Sequence, residues 1–430
     1  MSSGGSTMSD ALQAVAPLDL EGLDITAPEL FRQGFPHHVF TRLRSEAPVW
    51  WQPSTPELAT LDDRGFWVIS RHEDIQAASR NPALFSAEDG PSLATGLSNQ
   101  LSFMLTNMDG ERHIRQRKLI SAGFTPRMIG KLEQQARSWA VQIIESAMER
   151  ERVDFVEEIA YQLPMHMIAD IVGIPLQDRA WLFSRLSDFL QSMDKEHPVS
   201  ADERPALGAE IFRYGQELSA AKRAAPVDDV WSILTSAEIE TGEGEQVKLD
   251  EFELDAFFFL LAAAGSETTR NAISGGLKVL LEEPDQLDDL RKDPGLLRTA
   301  TEEILRWTSP VAYFRRTVRE DTNIRGVPIA AGDRVSLWYP SGNRDEDVFR
   351  EPFRFDIRRE GNEQISFGGG GAHFCMGAHL ARREIMILFE ELLARVGEIE
   401  VLEPPKYSVQ GIFNPIVASL KEFPVRLLPR

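Results

Sequence analysis

Phe367-Gly-Gly-Gly-Gly-Ala-His-Phe-Cys375-Met-Gly377 holds the only cysteine of this 430-residue chain, and its reading decides the fold. A lone thiol cannot close an internal disulfide or build a cysteine-rich zinc cage. Gly368 to Gly371 carry no Cβ, so the backbone can turn tightly there and pass close to a flat group. The following Met376-Gly-Ala-His-Leu-Ala-Arg-Arg-Glu-Ile-Met-Ile reads as a helix with Cys375 at its N-terminus. Unpaired N–H groups at that end favour a thiolate over a thiol. A phosphate loop is excluded, because no Gly-Lys-Ser/Thr follows and no Rossmann spacing fits. Three readings stay open on these residues alone. Cys375 and His379, one helical turn apart, could supply two ligands to a transition metal. The thiol could be buried and inert. Or it could be the single protein ligand of a haem iron.

A second stretch points the same way. Ala263-Ala264-Gly265-Ser266-Glu267-Thr268-Thr269 lies inside the apolar run Phe257-Phe-Phe-Leu-Leu-Ala and is followed by Arg270-Asn-Ala-Ile-Ser-Gly-Gly-Leu. A helix apolar on both sides belongs in an interior, and polar residues set in its middle mark a functional break in pattern. Ala264 and Gly265 are small enough for close approach to a flat group, and Thr268 can donate to a carbonyl one turn back. A third stretch is Glu302-Glu303-Ile304-Leu305-Arg306-Trp307, in which Glu303 and Arg306 share a helix face and should pair. Dispersed cations complete the set: His113-Ile-Arg-Gln-Arg117, Arg316 and His373.

Together these stretches resemble the cytochrome P-450 family of haem-thiolate monooxygenases. The family pattern Phe-x-x-Gly-x-[Arg/His]-x-Cys-x-Gly falls on Phe367, Gly370, Cys375 and Gly377, with Gly368 in the loop. The basic residue, His373, comes three places after Gly370 yet keeps its usual distance from the ligand. The resemblance implies a mainly α fold with a smaller β-rich lobe, and haem b held between a distal central helix and the loop of Cys375, its thiolate ligand. It implies that Ala264 lies on the haem face and that Glu267 and Thr268 relay protons during O2 activation. His113, Arg117, Arg316 and His373 would meet the haem propionates. Glu303 and Arg306 would form a buried structural pair completed by Arg354, from Pro352-Phe-Arg-Phe355.

The implied activity is hydroxylation of a C–H bond of a hydrophobic substrate. Wording such as Trp338-Tyr-Pro-Ser-Gly-Asn-Arg-Asp is similar to branches that oxidise sterols and methyl-branched lipids. A terpenoid or other secondary-metabolite hydroxylase is the alternative. A peroxygenase or a non-catalytic haem sensor would not need the Glu267-Thr268 pair. Substrate contacts implied by the resemblance are Leu97, Phe103, Phe189, Leu260, Ala263, Val311, Phe314, Phe413 and Ile416, all apolar.

Composition fits. The formal charge of −21 argues against nucleic acid as a partner. No leader pattern and no run long enough to span a membrane is visible, so a cytoplasmic enzyme is expected. With its one cysteine committed, the chain has none left for an iron–sulfur cluster, and electrons should come from a small acidic ferredoxin and its NAD(P)H-dependent reductase. Arg112, Arg115, Arg117, Lys118, Arg382 and Arg383 form the basic patch expected to attract that ferredoxin. Residues 1–17 read as a flexible segment and 18–430 as one catalytic domain. Helical period predicts helices over 131–149, 207–223, 251–282, 295–307 and 376–396. Phe66-Trp-Val-Ile-Ser and Arg334-Val-Ser-Leu-Trp-Tyr read as strands, and Gly326 to Asp333 as the turn between two short strands.

Overall fold

The computed structural model describes residues 20, 22–55, 64–93, 104–192, 199–200, 202–240, 246–408 and 418–430. The N-terminal segment 1–17 and the candidate contacts Leu97, Phe103, Phe413 and Ile416 lie outside the described residues. The remainder is mainly helical, with the strands gathered into a smaller sheet region.

The longest element is the central helix, Glu251–Glu282. Its start is fixed by a capping box: Asp250 Oδ1 accepts from the Glu253 amide at 2.7 Å, and Glu253 Oε2 accepts from the Asp250 amide at 3.2 Å. Helices Gln162–Val172, Arg204–Ala224 and Leu297–Thr308 pack around it. Two glycines set how closely. A Cβ on Gly215 would lie 2.5 Å from Phe258 Cδ1, and one on Gly276 would lie 2.8 Å from Ile304 Cγ2. The first lets Arg204–Ala224 press against the central helix, and the second lets Leu297–Thr308 do so.

The larger sheet has the order Val49–Gln52, Phe66–Ile69, Arg334–Trp338, Tyr313–Val318, Phe85–Ser86. Arg334–Trp338 is central and buried at every position. It runs parallel to Phe66–Ile69 and antiparallel to Tyr313–Val318, with Val335 opposite Arg316. The Gly326–Asp333 stretch is richer than a single turn. Val327–Ile329 is itself a strand paired with Thr322–Ile324, and a second turn then leads into Arg334.

The cysteine helix spans Ala378–Arg395, starting two residues later than its apolar period suggests, with Gly377 as its cap. Glu384 on this helix is 4% exposed and makes no hydrogen bond among the described residues. Burial alone pushes its carboxyl up to about 8. The folded protein therefore keeps a proton that the unfolded chain releases at ordinary carboxylate pH. Stability contributed by this site is full at low pH and falls as pH rises towards 8, by at most about 1.4 kcal/mol per pH unit. Glu384→Gln should flatten that slope and unfold at higher denaturant than the native protein at pH 8. Parallel stability curves for the two proteins between pH 5 and 8 would refute this.

Candidate functional site

The site is built from the cysteine loop, the central helix and the helix Gly110–Ser121. In the loop, the Cys375 amide donates to the Phe367 carbonyl at 3.0 Å, closing the Gly-rich stretch into a tight turn. Gly368, Gly370 and Gly371 have φ of 96°, 96° and 77°. Two of the loop glycines serve a purpose that the sequence did not disclose. A Cβ on Gly369 would lie 2.9 Å from Gln76 Cα, and one on Gly371 would lie 2.7 Å from the Ser79 carbonyl oxygen. They let the loop lie against the helix His72–Arg80. At Gly368 the same test meets nothing closer than 3.9 Å, so this side of the loop is open.

Cys375 lies at the far end of this loop, its Sγ 3.8 Å from where a Cβ on Gly377 would stand. Its side chain is exposed by accessible surface, yet burial is the largest influence on the thiol and pushes it up. Both hold for a side chain that protein surrounds without packing against it. Hydrogen bonds from the Gly377 and Ala378 amides, and the charges of Arg117 and Arg382, act the other way and favour the thiolate. The helix N-terminus thus points at the sulfur as expected, but burial prevails. A bound cation would reverse that balance, because a coordinating thiol is deprotonated outright.

The central helix has a matching gap. Ala264 is exposed in the middle of a helix that other helices surround, and Leu260, Ala263 and Thr268, on the same face, are half-buried. Thr268 Oγ1 donates to the Ala264 carbonyl at 2.9 Å, one turn back. Glu267 is 1% exposed and pairs with Arg270 at 3.0 Å through Oε1, while its Oε2 has no partner among the described residues. Burial raises its carboxyl above the ordinary range, against the charge of Arg270. Arg270 is also bound to Glu157 at 3.1 Å.

The predicted cations do converge. Arg117 senses the charge of Cys375, and His113 senses those of His373, Arg117 and Arg316. The His113 and His373 rings lie 4.2 Å apart. Burial, helped by those cations, lowers His113 to about 4, so its ring is neutral at pH 7. His373 Nε2 is bound to Asp109 Oδ1 at 2.7 Å. Burial would raise the Asp109 carboxyl, but this bond and those from Ser86 Oγ and the Ala87 amide hold it below the ordinary range. Arg316 donates to the Arg315 carbonyl at 2.7 Å. Arg117 has no acceptor among the described residues, which leaves its guanidinium available to an anion.

One structural assignment is corrected. Glu303 and Arg306 form the expected bidentate pair, at 2.8 and 2.7 Å, both fully buried. The third residue is Arg359, whose Nε donates to Glu303 Oε2 at 3.0 Å. Arg354 sits on an exposed turn, its side chain turned to Glu351, and it offers only its carbonyl to Arg306 and Arg359. Asn343, also missed, ties this network to the loop: its Nδ2 donates to Ser309 Oγ and Ser366 Oγ, and its Oδ1 accepts from the Ile365 amide, all at 2.8 Å. Its only signal in sequence was the Ser341-Gly-Asn-Arg-Asp345 run.

Half of the basic patch is neutralised. Arg115 pairs with Glu253, Arg382 with Glu302 and Arg383 with Glu133. Arg112 and Lys118 stay exposed without an acidic partner among the described residues, and the apolar Ile114 and Phe374 are exposed as well. Of the described substrate candidates, Phe189, Leu260, Ala263, Val311 and Phe314 are all half-buried.

These residues fit a haem. A thiol and a small-residue helix face both open to interior space, and Arg117 and Arg316 offer charge for two carboxylates. No group of three or more His, Cys, Asp or Glu able to hold a metal occurs among the described residues, so a cage of such side chains is not formed there. No helix among them is long and apolar enough to cross a membrane.

Comparison with known proteins gives the same answer. The family model described as cytochrome P-450 matches residues 140–406. The chain is 42% identical over 400 residues to the Mycobacterium tuberculosis (strain ATCC 25618 / H37Rv) protein named cytochrome P-450 126, covering 90% of this chain and 94% of that one. It is 37% identical over 420 residues to the steroid C26-monooxygenase of Rhodococcus jostii (strain RHA1), covering 96% and 86%. It is 36% identical over 423 residues to the methyl-branched lipid omega-hydroxylase of Mycobacterium tuberculosis (strain ATCC 25618 / H37Rv), covering 96% and 95%. Among solved structures, a Mycobacterium marinum cytochrome P-450 in complex with pseudoionone superposes with a TM-score of 0.85 at 35% identity, over 96% of this chain and 100% of that one.

Proposed function

The chain belongs to the cytochrome P-450 family, and from that premise we propose that this haem-thiolate monooxygenase hydroxylates a C–H bond of a sterol or methyl-branched lipid, with residues 18–430 as its catalytic domain. The observation that carries the reading is the pairing of an interior-facing Cys375 with the open Ala264–Thr268 face of the central helix. The substrate class is supported by the names of two relatives and by the apolar set Phe189, Leu260, Ala263, Val311 and Phe314. A second reading, a terpenoid or other secondary-metabolite hydroxylase, gains from the relative solved with pseudoionone.

Bound through Cys375, the haem supplies O2 activation and the transfer of one oxygen atom to carbon. The chain's own residues do the rest. The Gly377 and Ala378 amides and Arg117 hold negative charge at the sulfur. Arg117 and Arg316 neutralise the haem carboxylates as charge-assisted donors, with His113 and His373 beside them. Burial raises the Glu267 carboxyl above the ordinary range, which suits it to take up and pass on a proton at Oε2, an atom with no partner among the described residues. The Thr268 hydroxyl donates its hydrogen bond to the Ala264 carbonyl, which leaves the Oγ1 lone pairs free to accept. Thr268→Ala should leave substrate affinity nearly unchanged but divert reducing equivalents to hydrogen peroxide, lowering product per NAD(P)H by roughly ten-fold or more. Unchanged coupling would remove Thr268 from oxygen handling.

Electrons are proposed to come from a ferredoxin and its reductase, because the one cysteine leaves none for a cluster within the chain. Docking would rest on Arg112, Lys118 and the apolar Ile114 and Phe374, since Arg115, Arg382 and Arg383 are paired with acids and Arg117 is assigned to the haem carboxylates. The test of the substrate reading is a spin-state titration of the ferric holoenzyme with a sterol ketone, a methyl-branched fatty acid and a monoterpene alcohol. A saturable low-spin to high-spin shift with the sterol or branched lipid supports it. A shift with the terpenoid alone moves the assignment to the second reading.

A further inference from the structure

Arg204, the first residue of the helix Arg204–Ala224, is a cation without a counter-ion among the described residues. Its guanidinium carbon lies 4.5 Å from the centre of the Phe189 ring. Its Nε is sealed from solvent with no acceptor, and its side chain makes no ion pair among the described residues. The neighbouring carboxylate on its own helix is taken: Glu210 binds Arg185 at 3.1 Å, and Asp188 also lies within 4.0 Å of Arg185. The residue is half-buried, and a cation held on an aromatic face and partly withdrawn from water gains from an anion that joins it.

Its direction is inward. Phe189 meets Phe259 of the central helix edge-on, with ring centres 5.1 Å apart. Burial lowers the Arg204 guanidinium, and the one charge opposing this is Glu267. Glu267 in turn feels Arg204, and its own Oε2 lacks a partner among the described residues. Phe189 and Phe259 thus lead from Arg204 to the central helix, where Leu260 shares the face that carries Ala264 and Thr268.

We propose that Arg204 is a specificity residue that binds the carboxylate of an apolar acid, a long-chain or methyl-branched fatty acid, and so fixes which carbons of the chain reach the site. The proposal rests on the lipid-oxidising reading above and deepens it. A guanidinium matches a carboxylate with two parallel hydrogen bonds, and both gain strength where water is scarce. Phe189 holds the planar head in place, so little freedom is lost when the acid binds.

The experiment is a spin-state titration of the holoenzyme with a methyl-branched hexadecanoic acid and with its methyl ester, in native protein, Arg204→Leu and Arg204→Lys. The native enzyme should bind the acid more tightly than the ester. Arg204→Leu should weaken the acid by about ten- to a hundred-fold and leave the ester within about two-fold. Arg204→Lys, which keeps the charge but loses the fork, should fall between. Unchanged ester binding and an unchanged haem band certify that the variants fold. Equal loss for acid and ester, or a native preference for the ester, overturns the role of Arg204 and leaves the lipid reading intact. No shift with either lipid in the native enzyme overturns the lipid reading, and this proposal with it.

Discussion

A Cys375→Ser variant should lose the red-shifted carbonyl band of a thiolate-bound ferrous haem, retain far less haem, and show no turnover. The loss should be complete, because the site offers no substitute anion. His373, the nearest histidine in sequence, is engaged with Asp109. A serine hydroxyl receives the same two amide hydrogen bonds, from Gly377 and Ala378, but these do not ionise an alcohol whose acidity lies far from that of a thiol. The fold itself should survive. Cys375 fronts open space, so removing its sulfur leaves no packing void, and the anchors of the loop are backbone groups and neighbouring side chains. Circular dichroism and the denaturation midpoint of the apoprotein should therefore change little. A variant that kept the thiolate-type carbonyl band would place the axial ligand elsewhere and undo the assignment of the loop.

Much of this was legible because it is local. The central helix was readable to its ends, since Asp250 and Glu253 cap one end and apolar residues run through to Glu282. The Thr268 bond to Ala264 and the Glu303–Arg306 pair follow from helical spacing. What failed needed partners far apart in sequence. Arg354, Arg358 and Arg359 lie close together, and only the path of a turn decides that Arg359 comes back to Glu303. The acids that cancel the basic patch, Glu253, Glu302 and Glu133, come from three other helices, so the patch looked more positive than it is. Half of the glycine loop is explained by the helix His72–Arg80, nearly three hundred residues upstream, which no local pattern could reveal. Arg204 showed no signal at all: an arginine next to a proline at a helix start is ordinary until its surroundings are known.

The second large effect belongs to Arg306. Its guanidinium donates to Glu303 and to the carbonyls of Asn343, Pro352 and Arg354. Arg306→Ala would leave a fully buried carboxylate short of its main partner and three carbonyls short of a donor, a cost of about 3–5 kcal/mol or more. The damage should spread to the haem site, because Ser366, at the start of the cysteine loop, donates to the Leu305 carbonyl and is held by Asn343. Arg306→Ala should therefore express as haem-poor protein. Arg359→Ala should be milder, since Glu303 keeps both bonds to Arg306 as well as those from the Asp356 amide and Asn362. Arg354→Ala should stay within about 0.5 kcal/mol of the native protein, because its side chain is exposed and its carbonyl survives the substitution. Denaturation midpoints and haem content should rank the three variants in that order. An Arg354 variant as damaged as the Arg306 variant would mean that the exposed side chain carries the network, and that the correction in favour of Arg359 is wrong.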